Sequence, residues 1–265
     1  MENKQKIIPF LTSSMKISFY IIIILLFSLT SFAQERTDKL PTYFGLQLRP
    51  IFPTQFIGNP TTSMSGDGFE TSITQRLGFG FGGTVRASVT KLIAIETGIN
   101  FTQRYFNLSV ALPDSNVYGE QSMTFIEYDI PINALIYIQL SDNIFMNASL
   151  GVAISYKPTD TRVQIRPQGK HYFALYGIRD NSVGLDLNAN FGFEYRTRKN
   201  GFFYIGGSAR VPFAPLFKYA AFYNYDANSI LLTGDVDGSF LTLDFKYFFP
   251  LIKNKGQQFL NGPIE

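Results

Sequence analysis

The chain has 265 residues, 45% of them hydrophobic and only 16% charged, with a net charge of +3 and neither Cys nor Trp. That charged fraction is far below the ~25% of soluble domains, and the abundance of Phe, Tyr and Gly fits alternating β structure better than a buried helical core. The lack of Cys excludes disulfides, thiolate zinc sites and a lipoprotein anchor, and the charge is too small to point to nucleic acid.

At the N-terminus, Lys4, Lys6 and Lys16 precede the apolar run ISFYIIIILLFSL (Ile17 to Leu29), and Ser31-Phe32-Ala33 follows as a small-x-small site. This pattern predicts a signal peptide over residues 1–33, cut after Ala33. The run is too short for a transmembrane helix of ~20 residues. No later run is longer, so an exported chain would meet a membrane through strands. A short linker, 34–42, leads into the body of the protein at 43–249, and a polar tail follows at 250–265.

Eight segments of that body alternate apolar and polar residues with a period of two: 43–49, 76–89, 93–105, 126–139, 146–156, 184–196, 203–213 and 241–249. The second contains Gly78, Gly80 and Gly83 on a G-x-G-x-x-G spacing, but no helix is predicted after them, so a phosphate loop is excluded. Links at 90–92, 140–143 and 197–201 are tight, whereas 50–73, 107–121, 157–183 and 214–238 are long. Alternation with short turns on one side and long loops on the other predicts an all-β fold. It is an eight-stranded antiparallel transmembrane β-barrel with short periplasmic turns and long extracellular loops. The aromatics agree with that orientation: Tyr105, Tyr128, Tyr156 and Phe213 fall near the long loops, and Phe44, Tyr195, Phe203, Tyr247 and Phe249 near the turns or termini. Pro131, within the fourth segment, is expected at a bulge or an opened pair.

Parity places Arg49, Arg76, Arg86, Arg104, Arg196, Arg210 and Lys246 inside, with Glu96, Glu127, Asp129, Asp186, Glu194 and Asp244. An eight-stranded barrel is just wide enough for its interior to be filled by side chains. Charges at that density must pair, because desolvating each alone costs several kcal/mol. A neutral salt-bridge network is therefore expected. Its alternative is a proton relay or ion-selective pore, in which Glu127 and Asp129 act as acid and base.

Two long loops form a candidate contact surface. Arg162, Arg166 and Lys170 make one of them cationic, suited to lipopolysaccharide phosphates or an acidic partner. Phe217, Tyr219, Phe222, Tyr223 and Tyr225 crowd the other, suited to protein, glycan or lipid, or else packed over the barrel mouth. His171 is the sole histidine and lies in a loop with no pattern marking a nucleophile. Neither an enzyme nor a cofactor is expected.

IAIETGINFTQR (Ile93 to Arg104) followed by IEYDIPINALIYI (Ile126 to Ile138), with a leader ending SFAQ, resembles the Bacteroidota outer-membrane β-barrel family related to PorT. The resemblance implies a small closed barrel and an accessory role linked to a secretion or envelope complex. The expected function is non-enzymatic and structural, surface-binding or accessory, in contact with outer-membrane lipid and lipopolysaccharide. The alternatives are a lipid-modifying enzyme and a small diffusion pore.

Overall fold

The structure, a computed structural model, describes residues 41–250 apart from 168–170, 198–199 and 226–227. The expected leader, most of the linker, the tail beyond Pro250 and Lys170 lie outside the described residues. No helix among those described is long and apolar enough to cross a membrane.

Among the described residues fourteen antiparallel strands form, where eight were expected. The eight predicted segments fall largely within β1 (Thr42–Phe52), β4 (Gly78–Ser88), β5 (Ile93–Leu112), β6 (Val117–Gln139), β7 (Ile144–Tyr156), β10 (Val183–Arg196), β11 (Phe202–Pro212) and β14 (Phe240–Phe248). The other six occupy stretches read as loops: β2 (Thr61–Gly66), β3 (Phe69–Gln75), β8 (Thr161–Ile165), β9 (Tyr172–Ile178), β12 (Phe217–Tyr225) and β13 (Asn228–Val236). These stretches carry an alternation of their own, with Phe69 and Ile73, Phe173 and Leu175, or Phe217, Tyr219, Ala221 and Tyr223 on one face.

The pairings run β5-β4-β1-β14-β11-β10-β7-β6, and β6 pairs again with β5, giving a ring. The ring is uneven, since β14 has 9 residues and β6 has 23. β5 and β6 rise beyond it, where β3 and β2 extend the sheet from β5. Opposite them stands a second sheet in the order β13-β12-β9-β8. Its edges meet the first through Thr62 Oγ1, which donates to Asp235 O at 3.1 Å, and Thr161 Oγ1, which donates to Thr124 O at 3.4 Å. Between the two sheets lies an apolar core built on Phe69, Phe106, Phe125, Phe173, Phe217 and Tyr219. This part is the head.

Polarity reverses inside continuous strands. Up to Arg104, β5 turns Glu96, Asn100 and Thr102 inward and Ile95, Ile99 and Phe101 outward; beyond it, Phe106, Leu108 and Val110 are buried while Asn107 and Ser109 face out. β6 reverses at the same level, from Met123 and Phe125 inside to Glu127 and Asp129, and from Ser122 and Thr124 outside to Ile126 and Tyr128. The two reversals are in register, Arg104 opposite Phe125 and Gln103 opposite Ile126.

Pro131 interrupts the β5–β6 ladder between Thr97–Ile132 and Asn100–Asp129, and the register is the same on both sides. It therefore sits at an opened pair without a bulge, since proline has no N–H to donate. The stretch containing Gly78, Gly80 and Gly83 is a strand. A Cβ on Gly82 would strike Asn100 Oδ1 and Ile99 O, so this glycine is needed for the close approach of β5 and its inward amide. At the β10–β11 turn Gly201 has φ +73°, a left-handed conformation that suits glycine.

Candidate functional site: the ring interior and the face of the head

Alternation brings twelve of the thirteen predicted interior charges together. Arg49, Arg86, Glu96, Arg104, Glu127, Asp129, Asp186, Glu194, Arg210, Asp244 and Lys246 are buried, and the Arg196 side chain is 12% exposed. Arg76 is exposed instead. It falls in the two-residue break between β3 and β4, so the period of β4 does not reach it.

The charges gather around three carboxylate centres. Asp129 accepts from Arg49 Nη2 at 3.1 Å, Arg210 Nη2 at 2.7 Å and Asn100 Nδ2 at 2.8 Å. Arg210 also lies 3.6 Å from Glu127 and 3.9 Å from Asp186. Toward the turns, Glu96 accepts from Arg86 Nε at 2.9 Å and Lys246 Nζ at 2.5 Å. Arg86 bridges on to Glu194, which also accepts from Arg196 at 3.0 Å and Asn147 at 2.7 Å. Asp244 accepts from Asn190 at 2.7 Å, Thr242 at 2.7 Å and Ser208. Arg104 donates to Gln75 Oε1 at 2.8 Å. Six cations face six carboxylates in this set.

Packed aromatics bound the charged layer at both ends. At the turn end Phe202 stacks on Phe248 at 4.4 Å, with Arg86 4.2 Å over Phe248 and Arg196 4.2 Å over Phe145. At the head end Arg104 lies 4.8 Å over Phe240, and Phe217 packs on Phe125 at 5.1 Å and Phe106 at 5.4 Å.

The candidate contact surface divides. Phe217, Tyr219 and Tyr223 are buried, at 1%, 0% and 7% exposure, because their spacing of two puts them on the inner face of β12. Phe222 is half-buried on the outer face, and Tyr225 is 39% exposed. Tyr219 shares a 2.6 Å hydrogen bond with Thr71, and burial pushes its phenol up to about 12. Arg162 and Arg166 stand exposed on β8 and just after it, Arg162 5.1 Å over Tyr176 and Arg166 5.4 Å over Tyr172. His171 Nδ1 lies 2.9 Å from the Tyr223 hydroxyl, and its ring stacks on Tyr225 at 4.7 Å.

No family model and no curated protein matches the chain. Among solved structures it is similar to the outer membrane protein OprG from Pseudomonas aeruginosa, at 13% identity over 80% of this chain and 97% of that one, with a TM-score of 0.49. It is also similar to the β domain of the Bordetella autotransporter Brka, at 8% identity over 79% and 98%, with a TM-score of 0.29. At these scores and identities the two likenesses assign neither family nor activity.

Chemically, the interior is an ion-paired filling with each charge layer held between strands on opposite walls. Sequence reasoning missed Lys157, which is buried and donates from Nζ to Leu216 O at 2.9 Å. Continuing the parity of β7 one residue past outward Tyr156 would have found it. Tyr204, inward by the parity of the segment 203–213, is buried, and its hydroxyl donates to Asn190 Oδ1 at 2.6 Å.

Proposed function

We propose that this chain is an integral outer-membrane protein. In this reading β1, β4, β5, β6, β7, β10, β11 and β14 make an eight-stranded transmembrane barrel, and the head projects into the external medium. The polarity reversal within β5 and β6 carries the proposal. Below it, apolar side chains face out and charges face in, as a barrel in lipid requires; above it, the arrangement is that of a protein in water. Outward Phe44, Tyr128, Tyr156, Tyr195, Phe203 and Phe213, all well exposed, would meet the two headgroup levels. Export after cleavage at Ala33 belongs to the same reading.

The role we infer is structural, surface-binding or accessory, without catalysis. The ion-paired filling and the aromatic layers at its two ends support a sealed interior in preference to a diffusion pore. His171 is stacked and hydrogen-bonded within a tyrosine cluster, an environment that positions a ring and supplies no oriented nucleophile. The resemblance to the Bacteroidota PorT-related family favours a partner in a secretion or envelope complex.

Outer-membrane fractionation and heat-modifiable migration on gels test the barrel; a soluble periplasmic product overturns it. Planar bilayers should record no single-channel conductance. Loss of a lipid modification in His171→Ala cells would favour an enzyme, and affinity purification from native membranes would identify the partner complex.

A further inference from the structure

We infer that Arg162 and Arg166 bind phosphate groups of the glycolipids that surround the barrel, an inference that rests on the membrane reading above. Both guanidinium groups are exposed and lie over aromatic rings, Arg162 over Tyr176 and Arg166 over Tyr172. Arg162 Nη2 also donates to the Tyr172 hydroxyl at 3.4 Å, and Tyr176 is braced edge-on by Phe222 at 5.6 Å. Among the described residues neither arginine has a carboxylate within 4.0 Å. Neighbouring cations of the same sheet do: Arg179 pairs with Asp160 at 3.4 Å and Lys218 with Asp180 at 3.1 Å. Two unpaired, pre-oriented guanidinium forks match the bidentate geometry of a phosphate.

Their height selects the phosphate's source. β8 runs antiparallel beside β6, Thr161 at the level of Thr124 and Ile165 beside Gly119. Arg162 therefore stands about three residues past Ile126, the last outward aliphatic residue of β6, or roughly 10 Å along a tilted strand. That distance falls in the headgroup layer, which brings a hydrocarbon core of about 30 Å to 40–45 Å in all. Arg166 follows about 13 Å further along the strand, where only the large head of a glycolipid, reaching above an ordinary headgroup layer, can offer it a phosphate. A lipid headgroup is thus a standing neighbour of this face, whereas free phosphate would have to be recruited from solution.

The test uses the full-length protein extracted from its own outer membrane in mild detergent. Copurifying glycolipid per protein is measured by mass spectrometry for wild type, R162A/R166A, R162K/R166K and K91A, the last in an exposed turn at the opposite end. The alanine pair should retain about tenfold less glycolipid, as expected for losing charge-assisted hydrogen bonds. The lysine pair should fall between, and K91A should match wild type. Wild-type protein offered vesicles with phosphorylated glycolipid, dephosphorylated glycolipid or phosphatidylglycerol should retain the first, and added inorganic phosphate should not displace it. Equal retention by wild type and the alanine pair, or of both glycolipids, overturns the inference. If wild type is absent from the outer membrane, the membrane reading itself fails. If it is present and the alanine pair retains its glycolipid, only this inference fails.

Discussion

Asp129, shared by Arg49, Arg210, Asn100 and Thr102, offers a sharp test of the ion-paired filling. Asp129→Asn preserves shape but leaves Arg210 with Glu127 and Asp186, at 3.6 and 3.9 Å, and Arg49 with no carboxylate within 4.0 Å among the described residues. Breaking a buried pair from one side costs about 3–5 kcal/mol, because an uncompensated charge remains. Arg49→Met removes one charge-assisted bond while Arg210 still holds Asp129, at a cost of about 1.5–3 kcal/mol. Combined, the two substitutions remove one charge of each sign and restore neutrality. The double variant should accordingly be more stable than additivity predicts by about 1–3 kcal/mol. The chain has no Trp, so urea unfolding in lipid vesicles is best followed by gel mobility of unheated samples. Additive costs, or a D129N variant as stable as wild type, would refute the claim that these charges are held as a coupled, desolvated set.

Phe217→Ala, in the centre of the head core, should cost about 3–5 kcal/mol of head stability; protease cleavage should rise within the head while heat-modifiable migration of the barrel persists. Ile99→Arg, outward within the apolar belt, should destabilise the membrane-inserted protein by about 2–4 kcal/mol. Asn107→Arg, on the same face of β5 but above the reversal, should change stability little, and equal effects in vesicle unfolding would remove the belt. Burial raises the folded-state pKa of Tyr219 to about 12 from an ordinary 10.0. Its contribution to head stability is therefore complete below pH 10 and lost as pH rises through about 12. Alkaline titration at 295 nm should lose one phenol titrating near 12 in Tyr219→Phe, with the other tyrosines unchanged.

The ring strands were legible in the sequence because an apolar outer face and a charged interior give alternation its widest contrast: Ile126, Tyr128 and Ile130 against Glu127 and Asp129. The head was not, although the same period runs through it. In β5 the alternation continues past Arg104 with its sign reversed, so Phe106 and Asn107 read as the end of a strand when they begin its second half. The shorter strands β2, β8 and β9 span only five to seven residues and are bounded by Gly, Pro and Asp, the residues that mark loops. In β12 the positions 217, 219, 221 and 223 already spelled a one-faced strand, but aromatic density alone left an exposed contact surface and packing over the barrel mouth both open. Arg76 failed for the opposite reason, since its parity was carried across a break that only the pairing of β3 with β5 reveals.

The reversal also fixes how the head is mounted. A flexible joint at the membrane surface would leave strand N–H and C=O groups unpaired where water is scarce. Here the β5–β6 ladder runs unbroken across the boundary, from Glu127 opposite Thr102 to Met123 opposite Phe106. β3 adds to β5 directly above the level where β4 ends, with Gln75 opposite Phe106 and Phe79 opposite Gln103. Only side chains change their solvent; the backbone does not bend to accommodate it. On the membrane reading, the outer face of the head is consequently held at a set height and angle above the bilayer. In that reading the rigidity gives Arg162 a constant depth among the headgroups and Arg166 a constant height above them, and it suits a surface meant to meet a partner in one orientation better than a lid meant to open.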